Sequence, residues 1–159
     1  MKLVVYGQSD IETLTKSVEE KFKDVKNYNF DKFTMAEPPY YDNVLQKMVK
    51  LVPVKDKRTL EMIWILENQV QHYHYPPSRY VSHLLGHEGK GSLLSFLIKE
   101  GLATSLSAGG TDNYDCYSEL EVTVSLSDKG LKQIPEIIGY VFNYIQMLKD
   151  TEPQEWVID

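Results

Sequence analysis

The stretch SRYVSHLLGHEGKGSLLSFLIKEGLATSLSA, residues 78–108, decides the fold of this chain. It contains a short apolar run, a glycine-rich turn, a second apolar run that indicates a helix, and a strand over residues 104–108. Ser92 is in position to cap the helix and Gly101 to end it, because serine accepts backbone hydrogen bonds at helix starts and glycine tolerates the left-handed conformation at helix ends. The turn holds Gly86, Gly89 and Gly91.

Composition limits the possible classes of protein. The chain has 159 residues, of which 42% are hydrophobic and 25% charged, as in one globular domain or parts of two. A formal net charge of −6 argues against a nucleic-acid partner, which requires a clustered basic face. The N-terminal apolar run Leu3–Tyr6 is too short for a signal peptide or a membrane span, so we expect no membrane partner. The single cysteine, Cys116, fits a reducing compartment, and we expect a cytoplasmic protein.

The first part of the chain predicts a strand, a helix and an irregular segment. Leu3–Tyr6 is typical of a short buried strand, and Ser9 with Glu12 has the spacing of a capping box. Residues 23–42 lose all periodicity and contain Pro38 and Pro39, which disfavour regular structure, so we place a domain boundary there. The helix between these segments is indicated by apolar residues at helical spacing: Ile11, Leu14, Val18 and Phe22.

The remainder predicts a sheet with helices. We expect strands at Val49–Val54 and Thr59–Leu66, paired as a hairpin or as neighbours, a loop at Glu67–Pro77 and a turn beginning at Gly109 and Gly110. A half-buried strand is indicated by the alternation of Leu120, Val122, Val124 and Leu126. A long helix from Ser127, with Pro135 in its first turn, is indicated by the stripe Ile134, Ile137, Ile138, Val141, Ile145 and Leu148. The fold class is therefore α+β: an incomplete domain with a mixed, largely antiparallel sheet and helices packed on one face.

The chain ends also carry information. Thr151 and Pro153 predict the start of a further helix that contains Trp156, whose apolar side chain needs a partner surface. We expect the chain to be part of a longer one. Exposed apolar surface near Leu3 and Trp156 would then favour self-association into a homo-oligomer.

Four runs of sequence carry a resemblance to a known family: LVVYG, LVPVKDKRTL, HLLGHEGKGSLLSFLIKEG and EPQEWV. They resemble the insulin-degrading enzyme (insulinase-like) family of inverted zinc metallopeptidases, over essentially the whole chain. In that family four homologous domains in two halves enclose a chamber that digests peptides. The resemblance implies that residues 1–34 are the C-terminal strand and helix of the first peptidase-family domain, 35–43 a linker, and 44–159 the N-terminal part of the second, non-catalytic domain. That domain has the fold of metallohydrolases and mitochondrial processing peptidases.

The family's zinc motif is absent from this chain. In H-x-x-E-H both histidines bind zinc and the glutamate acts as base. The four histidines here are His72, His74, His83 and His87, and no pair is separated by x-x-E. We therefore expect no catalytic residue, metal or cofactor in this segment, and no peptidase activity from it alone. The resemblance implies that the parent chain is a zinc metalloendopeptidase whose partners are peptide substrates and its remaining domains.

His83 and His87 leave an alternative open. An i, i+4 pair on one helix face can bind zinc, but Gly86 and Gly89 weaken a helix there and Glu88 points elsewhere. The alternative is that His83 packs against the following strand and His87 bonds to turn backbone. The other candidates are expected to be structural or inert: His72 and His74 in loop packing, Asp112, Asp115 and Glu119 in a solvated turn without calcium-loop spacing, and Cys116 as an unactivated thiol.

The resemblance also implies a substrate-binding role. The family's second domain holds the N-terminus of the substrate at an exosite far from the zinc, where the peptide adds as a strand to a sheet edge. His83, Leu84 and Gly86 match the exosite loop, and Leu106 matches its strand. Four positions depart from the family: Ala108 stands for a glycine, Gly110 for a glutamine, Arg79 for a histidine and Ser82 for a glycine. We expect these departures to alter selectivity while the mode of binding persists.

Two other functions remain open. Related folds in the same superfamily have lost zinc and serve as structural or interaction subunits, and an H-x-x-E-H upstream of this chain would decide for the peptidase. A free-standing metal-binding protein could use His83 and His87, which metal analysis would test.

Overall fold

The computed structural model describes residues 2–31, 33, 35, 40, 44–114 and 116–158, with backbone alone at 111–113, 156 and 158. The chain forms two compact units, Met1–Phe33 and Thr34–Asp159.

The first unit contains the predicted helix, α1, over Ile11–Phe22. Its cap is Asp10 and not Ser9: the Asp10 carboxylate accepts a hydrogen bond from the Thr13 N–H at 2.8 Å. That bond stabilises the charged carboxylate and lowers the pKa of Asp10. The predicted strand at Leu3–Tyr6 is wrong, since these residues are exposed and irregular. A strand needs a neighbour for its backbone hydrogen bonds, and the described residues of this unit include no second strand.

The second unit is built on a three-stranded antiparallel sheet. Strands β1 (Thr59–Leu66), β2 (Ala103–Asn113) and β3 (Ser118–Leu126) lie in the order β1-β3-β2. The inner side chains of β3 are buried at every second residue, as the alternation predicted. Two of them, Val122 and Val124, are fully buried. Their register partners are Met62 and Leu60 on β1, and Ala108 and Leu106 on β2.

Helices pack on this inner face. The helices of the second unit are α2 (Pro77–Leu85), α3 (Leu93–Lys99), α4 (Asp128–Lys132), α5 (Ile134–Lys149) and α6 (Glu155–Ile158). Both α2 and α3 pack on β2, and α5 packs on α3. Each of these three contributes a fully buried side chain: Leu85, Leu97 and Ile137. The predicted α+β class, with helices packed on one face of the sheet, is confirmed.

The predicted ends of α3 are also confirmed. The Ser92 hydroxyl accepts a hydrogen bond from the Ser95 N–H at 3.1 Å. Gly101 has φ +67, the left-handed conformation that only glycine adopts readily.

The long helix predicted from Ser127 is in fact two helices. Ser127 caps α4, because its hydroxyl accepts a hydrogen bond from the Gly130 N–H at 2.9 Å. The helical conformation then ends at Gln133. Pro135 lies in the first turn of α5. A proline has no N–H, and its ring collides with the carbonyl four residues earlier, so one continuous helix is excluded. Of the stripe predicted for α5, Ile137 and Val141 are fully buried. The other four residues are half-buried: Ile134, Ile138, Ile145 and Leu148.

Two expectations for the sheet are wrong. Val49–Val54 forms no strand, and the partner of β1 is β3, so the expected hairpin does not exist. Gly109 and Gly110 lie within β2 and not in a turn. The chain turns later, where the Tyr114 N–H donates to the Tyr117 carbonyl at 2.9 Å.

The two irregular segments mostly follow expectation. The predicted loop at Glu67–Pro77 contains one short 3₁₀ turn, Val70–His72, and α2 begins at Pro77. Within residues 23–42, those that the structure describes are neither helix nor strand, while Pro38 and Pro39 lie outside the described residues.

Gly130 is expected to be essential for packing α4 on the sheet. A Cβ at this position would overlap the carbonyl oxygen of Leu102, which accepts from the Ser127 N–H at 3.1 Å. We expect Gly130→Ala to destabilise the protein by about 1–3 kcal/mol, because backbone must move to make room. The measurement is urea unfolding.

Gly139 provides the matched control, since a Cβ there meets nothing within 4 Å and the residue lies inside α5. Gly139→Ala should stabilise by about 0.5–1 kcal/mol through helix propensity. Equal unfolding midpoints for the two variants would contradict the packing role assigned to Gly130.

Candidate functional site

Strand β2 forms one edge of the sheet. It is eleven residues long and pairs with β3 on one side, and among the described residues no strand pairs with its other side. Along its first half the exposed side chains are small: Thr104, Ser105 and Ser107. An exposed edge with small side chains is a template for pairing with another extended chain.

The end of α2 lies directly against this strand. Gly86 ends the helix, and its N–H donates to the Ser82 carbonyl at 2.8 Å. A Cβ on Gly86 would lie 3.1 Å from that carbonyl oxygen and 3.2 Å from the Ala108 nitrogen, which is tighter than side chains normally pack. The absence of a side chain at Gly86 therefore allows α2 and β2 to approach this closely.

Four of the six predicted site residues lie on β2 or against it. Gly86 and Ala108 are in contact, and Gly110 lies beside the start of α2, with a Cβ position 4.0 Å from the Ser78 hydroxyl. Leu106, by contrast, is 4% exposed, so its side chain belongs to the core and only its backbone lies at the edge.

The other two predicted residues lie in the last turn of α2. Leu84 is half-buried, and its carbonyl accepts from the Tyr144 hydroxyl at 3.5 Å. His83 is exposed, so the expectation that it packs against the following strand is wrong. Its position on the outer side of a short amphipathic helix keeps the imidazole in solvent.

The two departures in α2 have different environments. Ser82 is buried, and its hydroxyl donates to the Arg79 carbonyl at 3.1 Å, so the polar group is satisfied within its own helix. Arg79 is exposed. Only the second of these changes alters the charge presented to solvent.

The structure adds residues that the sequence analysis missed. An open depression of about 220 Å³ lies on the outer face of the sheet at its β2 edge. It is lined by Ser107, Ala108, Gly109, Gly110, Glu121 and Thr123. The alternation on β3 contains the signal for the last two, because burying Val122 and Leu120 turns Glu121 and Thr123 outward. Assigning Gly109 to a turn concealed which residue lies opposite Glu121.

Aromatic side chains cluster at the turn between β2 and β3. The rings of Tyr114 and Tyr117 stack at 4.5 Å, and Tyr40 meets Tyr117 edge-on at 5.4 Å. The Tyr40 hydroxyl donates to Glu119 at 3.1 Å, which raises the pKa of Tyr40, and burial raises the pKa of Tyr117. Glu119 therefore has a structural partner. Of the other acidic candidates, Asp115 and the side chain of Asp112 lie outside the described residues.

No metal centre is formed by the part of the chain that the structure describes, where no three potential ligands converge. The His83 and His87 rings are 6.2 Å apart, but α2 ends at Leu85, so they do not share a helix face. His87 folds over Gly89. The His74 ring lies 4.0 Å from the Tyr73 ring and 6.3 Å from the Tyr75 ring, its two neighbours along the loop, and all three side chains are exposed. Among the described residues, no helix is both long enough and apolar enough to span a bilayer.

Comparison with known proteins identifies relatives along the whole chain. A family model described as "Peptidase M16 inactive domain" matches residues 1–159. The A-factor-processing enzyme of Saccharomyces cerevisiae is 39% identical over 159 residues, covering 100% of this chain and 16% of the relative. The protein "Insulin-degrading enzyme-like 1, peroxisomal" of Arabidopsis thaliana is 38% identical, with the same coverage. The crystal structure of pitrilysin superposes with a TM-score of 0.81 at 21% identity, over 96% of this chain and 16% of that one. The chain thus spans about one sixth of the length of these relatives.

We expect the purified chain to contain no stoichiometric zinc, because two exposed histidines without a third ligand cannot complete a tetrahedral site. Elemental analysis of chelator-free protein measures the zinc content, and His74→Ala, in the loop that precedes α2, is the control. About one zinc per chain, lost in His87→Ala and kept in His74→Ala, would contradict the prediction.

Proposed function

We infer the function of this chain from one premise: it belongs to the peptidase M16 family and corresponds to an inactive domain of that family. We propose that the chain binds the N-terminal segment of peptide substrates along the free edge of β2 and performs no bond cleavage itself. The residues proposed to form this site are His83, Leu84, Gly86, Leu106, Ala108 and Gly110.

The free edge of β2 is the observation that carries this proposal. An extended peptide placed there would continue the sheet at the usual strand spacing of about 4.8 Å. Each backbone hydrogen bond that it forms would contribute about 0.5–1.5 kcal/mol, independently of the peptide's sequence. This suits a peptidase with varied substrates.

The contact between Gly86 and Ala108 supports the proposal in a second way. It holds the end of α2 against the middle of β2, so the edge is fixed before a peptide arrives. A preformed edge lowers the entropy cost of binding, because only the peptide has to become ordered.

Catalysis is assigned to the complete protein that contains this chain. We propose that it is a zinc-dependent metalloendopeptidase that degrades peptides, and that the remaining domains supply the zinc ligands. The described residues of this chain do not fit a zinc ion, since no three ligands converge. A cytoplasmic location, supported by the lone free Cys116, and self-association complete the proposal.

Backbone methylation of the peptide tests strand pairing directly. In a β-strand alternate N–H groups point to the neighbouring strand, so N-methylation should weaken binding at every second residue of the peptide's N-terminal segment and have little effect between them. Peptide affinity for the complete protein is measured by fluorescence anisotropy, with a chelator present to prevent cleavage. Equal effects at consecutive residues would rule out pairing with β2.

A protein variant tests the same site by kinetics. We expect Gly86→Val to push α2 and β2 apart, because even a Cβ is crowded there. In the complete enzyme kcat/KM should fall for long peptides, which reach both the β2 edge and the zinc. For short peptides, which cannot reach both, it should remain nearly unchanged.

Two outcomes would count against this assignment. An equal loss of kcat/KM for long and short peptides would indicate that Gly86→Val misfolds. No loss for either peptide would contradict the placement of the binding site at β2. Gly139→Ala in α5 is the control, expected to leave kcat/KM unchanged for both peptides.

A further inference from the structure

Within the described parts of the three strands, the outward-facing side chains include glutamates but no lysine or arginine. Side chains that face away from the helices are given by the register, since they are the partners that alternate with the buried residues. On β3 and its two neighbours they include Glu61, Ile63, Ile65, Ser105, Ser107, Gly109, Glu119, Glu121, Thr123 and Ser125. None of these is lysine or arginine. Arg79 belongs to α2, which covers the opposite, inner face.

Glu121 lies on the central strand β3, directly beside the edge strand β2. Its register partners are Ile63 on β1 and Gly109 on β2. Glu61 lies on the far strand, β1, and Glu119 accepts the hydrogen bond from Tyr40. Glu121 accepts a hydrogen bond from the Thr123 hydroxyl, a neutral donor, and the described residues supply it with no cationic partner.

Gly109 leaves the path from Glu121 to the edge open. It has no side chain, and a Cβ built on it meets nothing within 4 Å. On the other side of Glu121 lies Ile63, whose apolar side chain has no atom that can bind a cation. A positively charged group therefore has its access to the Glu121 carboxylate across Gly109, from the edge where we place the peptide.

We propose that Glu121 is a specificity-determining residue that selects peptides with a lysine or arginine at the position facing Gly109. This inference rests on the proposed function. A peptide paired with β2 would place that residue two strand spacings, about 9.6 Å, from the backbone of Glu121, on the same face. Short side chains cannot bridge this distance, whereas a long basic side chain can extend over the glycine to the carboxylate.

A lysine scan tests the inference. A neutral host peptide is compared with peptides that carry one lysine at each of the first six positions, all with the same free amino terminus. Affinities are measured on the complete protein with a chelator present, for the native form, Glu121→Gln and Glu61→Gln. Lysine should raise affinity by about 2- to 5-fold at one position or at positions two apart, the effect of a partly exposed ion pair. Glu121→Gln should abolish that gain and leave the affinity of the neutral host unchanged, while Glu61→Gln should preserve both.

The possible failures are distinguishable. If the neutral host binds with the alternating N-methylation pattern but no lysine position gains affinity, the role of Glu121 is overturned and edge binding stands. A gain at every position alike, or one that Glu61→Gln removes equally, reflects general charge attraction and also overturns it. If the host peptide does not bind at all, the proposed function fails and this inference fails with it.

Discussion

The burial of Val122 and Val124 in the centre of β3 is the constraint on which the rest of this structure depends. Both side chains are fully buried, and each has register partners on β1 and on β2. Burying one valine contributes about 1.5–3 kcal/mol, so this pair contributes a large part of a small domain's stability. It also fixes the order of the strands. With β3 in the centre, β2 lies at an edge, and with the helices on the valine side, the outer face is left to Glu121 and Thr123.

Close approach of backbones at two glycines fixes the helices to the sheet. Gly86 holds the end of α2 against β2, and Gly130 holds α4 against the carbonyl of Leu102. In both places a side chain would force helix and sheet apart. The edge strand is therefore supported on its inner face by packed helices, which makes it a rigid template even though no described strand pairs with its other side.

Sequence patterns predicted the elements whose signals are local. The capped helix α3, the alternation on β3 and the buried stripe of α5 each follow from periodicity and end residues within one segment. Leu3–Tyr6 and Val49–Val54 have equally apolar sequences but form no strand, because a strand also requires a distant partner that local sequence does not specify. The site shows the same division. The glycines and small residues near Gly86 were visible in the sequence, but the register that sets Gly109 opposite Glu121 was not, since it depends on where the β2–β3 turn lies.

The sizes of the two proposed contributions indicate why binding and selectivity reside in different parts of one strand pair. Four backbone hydrogen bonds to the edge of β2 would contribute about 2–6 kcal/mol, and an ion pair with Glu121 at most about 1 kcal/mol. Affinity would then come from the backbone, and the side chain would adjust it among peptides that all bind. A binding free energy of this size corresponds to a weak dissociation constant, roughly tens of millimolar to tens of micromolar. A weak site is effective when the same peptide is also held elsewhere, because the second contact becomes intramolecular and gains from a high local concentration. The binding edge that we propose is therefore suited to act as one of two binding sites that hold the same long peptide.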